Sequence, residues 1–342
     1  MWTNVSGMAP LTERDRPEPH QAYSRILVTS TVPDEQNSNS PLRGYLAQGM
    51  RRQCPEALVA EAPFEVTFKR IHDTRPELVI AMGGVAVGGV DLRRLRAACD
   101  ATGARLALWL HDDPFEFDYA HRAEAIADVI FTNDSWACHH YRFPRTFHLP
   151  LAGCADTHHQ PILPAAERDI DLLFCGVAYP NRVEFFRKIR HLCRRFHCVV
   201  LGDGWPADLD FAVNRRVPRE ELADLSARAL VTLNITRDHD IANRRLDLPP
   251  STPGPRTFET ALAGSAQMYL MHGTEIMDYF EPDSEIILID NVMDTEQHLQ
   301  ALWSDKDRAV AIATRAQARA LKEHCYEHRA AAMLARLHAI RW

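Results

Sequence analysis

Three short segments carry residue types that could do chemistry. The first is His111-Asp112-Asp113, directly after the apolar run Ala104–Leu110. Carboxylates placed at the end of a buried strand can accept a proton, orient a histidine or hold a metal. A solvated turn with Asp113-Pro114 opening a helix explains the same residues, and adjacency alone does not make His111 and Asp112 a dyad. The second is Gly176, closing the run DLLFCG, followed by Asn181-Arg182 at a helix start. A glycine there permits close backbone approach, and unpaired N–H groups at a helix start suit a phosphate. Gly202, Gly204 and Trp205 repeat the theme after the next strand, where the indole could stack on a ligand or fill a wall. The third is Arg256-Thr257-Phe258-Glu259. Arg256 near a helix start could neutralise a diphosphate, and Glu259 one turn on could accept from a pair of sugar hydroxyls. An ordinary Arg/Glu helical pair is the plainer reading. Glu275 is a further acidic candidate.

Metal chemistry is not expected. The eight cysteines form no CxxC pair, the doublets His139-His140 and His158-His159 point their rings apart, and HExxH is absent. GxGxxG and GxxxxGK[ST] are absent too, so neither a dinucleotide fingerprint nor a triphosphate loop is present.

The elements that must position these residues read as α/β. Strands are expected over 24–30, 75–82, 104–110, 128–133 and 146–153, and helices over 41–60, 90–103 and 121–127. The pattern restarts at Asp169. Strands follow at 169–176, 197–204, 230–235, 266–271 and 284–290, with helices at 181–196, 218–229 and from Arg256. Residues 237–256, with four prolines, read as a long loop, and the chain from Thr295 on as helical. Strands that are almost wholly apolar imply parallel sheets covered on both faces. With 342 residues, twice the usual domain length, this makes two domains. Their expected bounds are 23–160 and 165–320, with a loosely ordered segment 1–22 and a last helix 321–342 that could pack back on the first domain.

A net charge of -7 without a basic block excludes a nucleic-acid coat, and no apolar run approaches 18 residues. The start of the chain lacks the apolar core of a signal peptide. A cytoplasmic protein is expected, and the excess of Arg and Ala over Lys fits a GC-rich bacterial genome.

The segment RTFETALAG…GTEIMDYFEPDSEIILID, with YEHR at Tyr326–Arg329, resembles the carboxyl-terminal half of the CgeB-like glycosyltransferases. Upstream, WLHDDP, FTNDSWA, HLPLAG, DLLFCG and LNI (Leu233–Ile235) match in order, from about Ser24 to about Leu337. The resemblance implies a GT-B fold: two facing Rossmann-like domains, acceptor on the first, nucleotide-diphosphate sugar on the second. It implies no cofactor besides that co-substrate, no metal, and a hydroxyl or amine acceptor. Gly176 and Arg182 would then lie near the donor phosphates, Arg256 at the diphosphate and Glu259 at the ribose. Gly202, Trp205, Asn234 and Thr257 would complete the donor set, with His111 and Asp112 facing the reacting sugar, and Asp112 or Asp113, then His111, the candidate base of an inverting transfer. Many retaining members carry a second glutamate eight positions before the ribose ligand. Here that position is Ser251, which leaves the stereochemical outcome open. A nucleotide-sugar-binding protein, epimerase or hydrolase of the same fold is the alternative.

Overall fold

The computed structural model describes residues 23–342 except Ser38, so the expectation for residues 1–22 lies outside the described residues. The first half runs β1 (Arg25–Ser30), α1 (Pro41–Gln53), β2 (Leu58–Glu61), α2 (Phe64–Thr74), β3 (Leu78–Gly83) and α3 (Leu92–Thr102). It continues with β4 (Arg105–Leu110), α4 (Ala120–Glu124), β5 (Val129–Thr132), α5 (Ser135–Cys138) and β6 (Thr146–His148). Its six strands are parallel, in the order β2-β1-β3-β4-β5-β6. The helix expected over 41–60 stops at Gln53, because Pro55 can neither donate its backbone N–H nor let Cys54 stay helical. Released from the helix, Leu58–Glu61 becomes the edge strand.

A connection carrying α6 (Ala155–His158) leads to the second half: β7 (Ile170–Cys175), α7 (Pro180–Lys188), α8 (Arg190–Arg195), β8 (Cys198–Gly202), β9 (Ala212–Asn214) and α9 (Arg219–Arg228). Then come β10 (Ala229–Asn234), α10 (Pro255–Leu262), β11 (Ala266–Leu270), α11 (Ile276–Tyr279) and β12 (Ile287–Ile289). This sheet is parallel as well, in the order β12-β11-β10-β7-β8-β9. The strand order reverses between β7 and β10 here, and between β1 and β3 in the first sheet. Crevices open at such reversals beyond the strands' carboxyl ends.

The chain closes with α12 (Val292–Ser304), α13 (Lys306–Glu323) and α14 (Tyr326–Ala339). The first two cover the second sheet. The last crosses back: Tyr326, Ala330, Met333 and Leu337 lie in one core with α1 and the β1–β4 face. At the crossing the outward connection and the returning chain bond each other, Gly153 N–H to His324 O (3.0 Å) and Tyr326 N–H to Gly153 O (3.1 Å). Gly49 of α1 must be a glycine, since a Cβ there would stand 2.7 Å from the Tyr326 carbonyl oxygen. Among the described residues, no helix is long and apolar enough to cross a membrane.

Candidate active site between two sheets

At the strand reversal of the second sheet lies a cavity of about 180 Å³. Gly176 after β7, Arg182 of α7, Asn234 at the end of β10 and Arg256 of α10 all line it. Residues from three distant stretches of the sequence thus meet because β7 and β10 are neighbours whose helices splay to opposite faces. Their roles within the cavity differ. Arg182 is mostly turned to its own backbone, donating to Ile235 O at 2.7 and 3.0 Å and to Val177 O at 3.0 Å. It ties together the two loops that form the rim. Burial depresses its pKa to about 10. Asn234 donates to Thr257 Oγ1 and Gln267 Oε1, both at 2.9 Å.

Three of the expected donor residues do not line this cavity. Trp205 is core: its indole stands edge-on to Phe174 and Phe186 and is 4% exposed. Thr257 is fully buried and holds α10 against β10 through Asn234. Gly202 serves the backbone. Its φ is +138°, and a Cβ would fall 2.0 Å from Gly176 O, so β8 can lie against the end of β7 only with glycine there. That contact shapes the loop at Gly176 from behind.

Arg256 is more than a third exposed and donates to Glu259 Oε2 at 2.7 Å, the i, i+3 pair of one helical face. Glu259 itself is buried. Burial alone would raise its pKa, but the Arg256, His158 and Arg219 charges outweigh that and hold it low.

The acidic segment after β4 splits three ways. Asp113 is interior: it accepts from Thr132 Oγ1 (2.6 Å) and Tyr141 Oη (2.8 Å), and burial pushes its pKa to about 6. Asp113, a candidate base in the sequence, is turned inward because the chain turns at Asp113-Pro114 and sends this side chain back under β5. Asp112 reaches across to the second half, accepting from Arg237 Nη2 at 2.9 Å. Its other oxygen lies 3.1 Å from His111 Nδ1, a close charge contact without an aligned hydrogen bond. Burial would raise the Asp112 pKa, yet His111 and Arg237 together drive it well below the usual carboxylate range. For His111 burial opposes the charge, but Asp112 prevails and its pKa rises.

Sequence reasoning missed Glu116. It is buried and accepts the N–H groups of Val85 (2.6 Å) and Ala86 (3.0 Å), anchoring the loop after β3. Burial, then the nearby Asp112 and Asp113 charges, raise it to about 7. Nothing in its local pattern marks it, because its partners lie thirty residues upstream.

The long loop 237–254 does not merely border the cleft. It is strapped to the first half: Ile241 N–H donates to Phe115 O (2.8 Å), and Arg244 and Arg245 N–H to the Asp118 carboxylate (2.9 and 3.1 Å). Ser251 sits inside this junction. Its N–H donates to Asp134 Oδ2 (2.7 Å), and its hydroxyl accepts the Trp136 N–H (3.0 Å). Glu275 joins the same junction, accepting from Thr252 Oγ1 (2.8 Å) and from Ser135 of the first half. The position where a second glutamate would stand is therefore a docking point between the two halves.

Residues 182–335 match the model of the glycosyl transferase-like family. The chain is also 22% identical over 236 residues to spore protein CgeB of Bacillus subtilis (strain 168), covering 62% of this chain and 69% of that protein. These matches ally the chain with the CgeB-like glycosyltransferases. Its fold is GT-B, as in the solved structures it resembles. Anabaena Alr3699/HepE, crystallised in complex with UDP, superposes with a TM-score of 0.61 at 11% identity, over 93% of this chain and 100% of that one. A glycosyltransferase from Rickettsia africae ESF-5 gives 0.64 at 10% identity, over 91% and 96%. The chain described here thus shares the two-sheet frame of these proteins, with its cavity at the second sheet's reversal.

Proposed function

We propose that this glycosyltransferase moves a sugar from a nucleoside diphosphate to a hydroxyl or amine acceptor, without needing a metal ion. The observation that carries the reading is the convergence of Gly176, Arg182, Asn234 and Arg256 on one cavity at the strand reversal. UDP bound in the structural neighbour from Anabaena supports a nucleotide as donor carrier. Breaking the anomeric bond leaves negative charge on the diphosphate. Arg256, at the start of α10, would take that charge, with Glu259 receiving the ribose hydroxyls. The rim tied by Arg182 gives the phosphates a fixed backbone to approach. Asp112, held ionised by its two cations, is a weak proton acceptor. Its fitting role is a fixed negative charge beside the positive character that develops on the sugar, steadied from the second domain by Arg237. The acceptor would enter between the loops after β1 and β3, the latter anchored by Glu116.

A thermal-shift panel of UDP, ADP and GDP tests the donor site. A ligand at a hundred times its Kd stabilises by about 2.7 kcal/mol, which is about 5–10 °C for domains of this size. Arg256→Ala should remove the shift. If none of the three raises the melting temperature of the wild-type protein, the donor site is assigned wrongly.

A further inference from the structure

Glu259 has more cationic and donor groups around it than its pair with Arg256 requires. Arg256 occupies Oε2, while Oε1 faces His158 Nε2 at 3.7 Å and Arg219 Nη1 at 3.8 Å. His158 belongs to α6, on the connection between the two domains, and is 3% exposed. Its Nδ1 lies 3.0 Å from the Cys154 N–H and 3.1 Å from the Cys154 carbonyl oxygen; the buried N–H needs an acceptor, and with Nδ1 accepting it the ring proton sits on Nε2. That Nε2 is buried and has no hydrogen-bond partner. A buried N–H without an acceptor costs free energy, so its orientation toward Glu259 calls for a reason. Tyr45 of α1, in the first domain, fixes the ring from the side. Its ring lies edge-on to His158 with centroids 5.5 Å apart, and the Arg219 guanidinium lies 5.6 Å from it.

The reason emerges when Arg256 is asked to do two things. A donor diphosphate that draws Arg256 away strips Glu259 of its nearest cation, and a buried carboxylate cannot be left uncompensated. We propose that His158 is the positioning residue that takes over Glu259 at that moment: its Nε2–H closes on Oε1 while the ribose hydroxyls engage the freed Oε2. Arg219 adds charge from the same side, and Tyr45 makes the first domain part of the ribose subsite. The inference rests on Glu259 as the ribose ligand, and it adds a group on the interdomain connection that is idle in the free enzyme and engaged in the complex.

Calorimetric titration of the full-length protein with UDP, ADP and GDP and their 2′-deoxy counterparts tests it. The wild-type protein should prefer the ribose form by about tenfold or more, the value of a hydrogen bond to a charged group. His158→Phe keeps the ring volume and removes the N–H. It should compress that preference to within about threefold, while the melting temperature of the free protein falls only by the lost acceptor of the Cys154 N–H, because Arg256 still holds Glu259 there. His158→Gln returns an N–H donor and should restore part of the preference. A His158→Phe protein that keeps the full ribose preference overturns the inference and leaves the donor site intact. Should His158→Phe fold poorly, a His158→Gln protein as indiscriminate as an Arg256→Ala protein overturns it equally. Absence of nucleotide binding by the wild-type protein overturns the donor assignment beneath it.

Discussion

Asp112 and Asp113 are chemically identical neighbours with opposite fates. Asp112 faces His111 and Arg237 and stays charged, whereas Asp113 trades hydration for two hydroxyl donors. The consequence is a pH dependence of stability. Asp113 has a folded pKa of about 6, above its ordinary value, so the folded state binds its proton more tightly than the unfolded chain does. Its contribution is therefore favourable in acid and is lost as pH rises from about 4 to about 6. Asp113→Asn keeps an acceptor oxygen for Thr132 and Tyr141 and removes the titration. Urea unfolding at a series of pH values should show the variant gaining on the wild type by on the order of 2–3 kcal/mol between pH 4 and 7, the worth of about two pKa units. Equal pH slopes for the two proteins would remove the burial argument.

At the scale of elements, the donor cavity depends on backbone packing behind it as much as on the side chains lining it. Gly202 is the clearest case, combining a positive φ with the Gly176 carbonyl where its Cβ would go. Gly202→Ala should cost about 3 kcal/mol or more in urea unfolding, from strain and overpacking together. Nucleotide affinity should fall with it, since the Gly176 loop would be pushed into the cavity. Most of this layer was legible beforehand. Runs such as LVIAM and LLFC read as buried parallel strands, and strand ends pointed to Gly176 and His111 as candidate positions, whereas Asn234 entered only through the family resemblance. What escaped were features without a local pattern. Leu58–Glu61 hid inside an apparent helix until Pro55 was given its weight, and the three-residue strand β9 has no period to read. Trp205 carried a ligand-like residue type, but its burial is decided by Phe174 and Phe186, twelve or more residues away. Likewise His158 read as half of a poor chelating doublet, and only the fold brings Glu259 to it from a hundred residues downstream. One local signal was available for the junction. Asp134 just before Ser135-Trp136 is a helix-capping residue, and its second oxygen was free to receive Ser251 and Thr252.

For the whole molecule, the two sheets are joined three times: by the connection through α6, by the strap 237–254, and by the return of α14. The last joins most deeply, because α14 contributes core to a domain whose other residues lie some 180 positions or more upstream. Damage at the end of the chain should therefore be felt at its beginning. Leu337→Ala removes a fully buried side chain from that core and should cost about 2–5 kcal/mol. Hydrogen exchange should localise the loss to β1–β4 and α1, leaving β7–β12 protected as before. Faster exchange confined to the second sheet would contradict this view of the crossing.

The same crossing sets an order of assembly during synthesis. Tyr326, Ala330, Met333 and Leu337 leave the ribosome only after the whole second sheet, so the α1 face of the first sheet has no covering helix until then. The domain made first would be finished last, with an apolar face open for the time needed to translate about half the protein. Chaperone capture of nascent chains is the natural companion of such a design, and release would coincide with the arrival of α14.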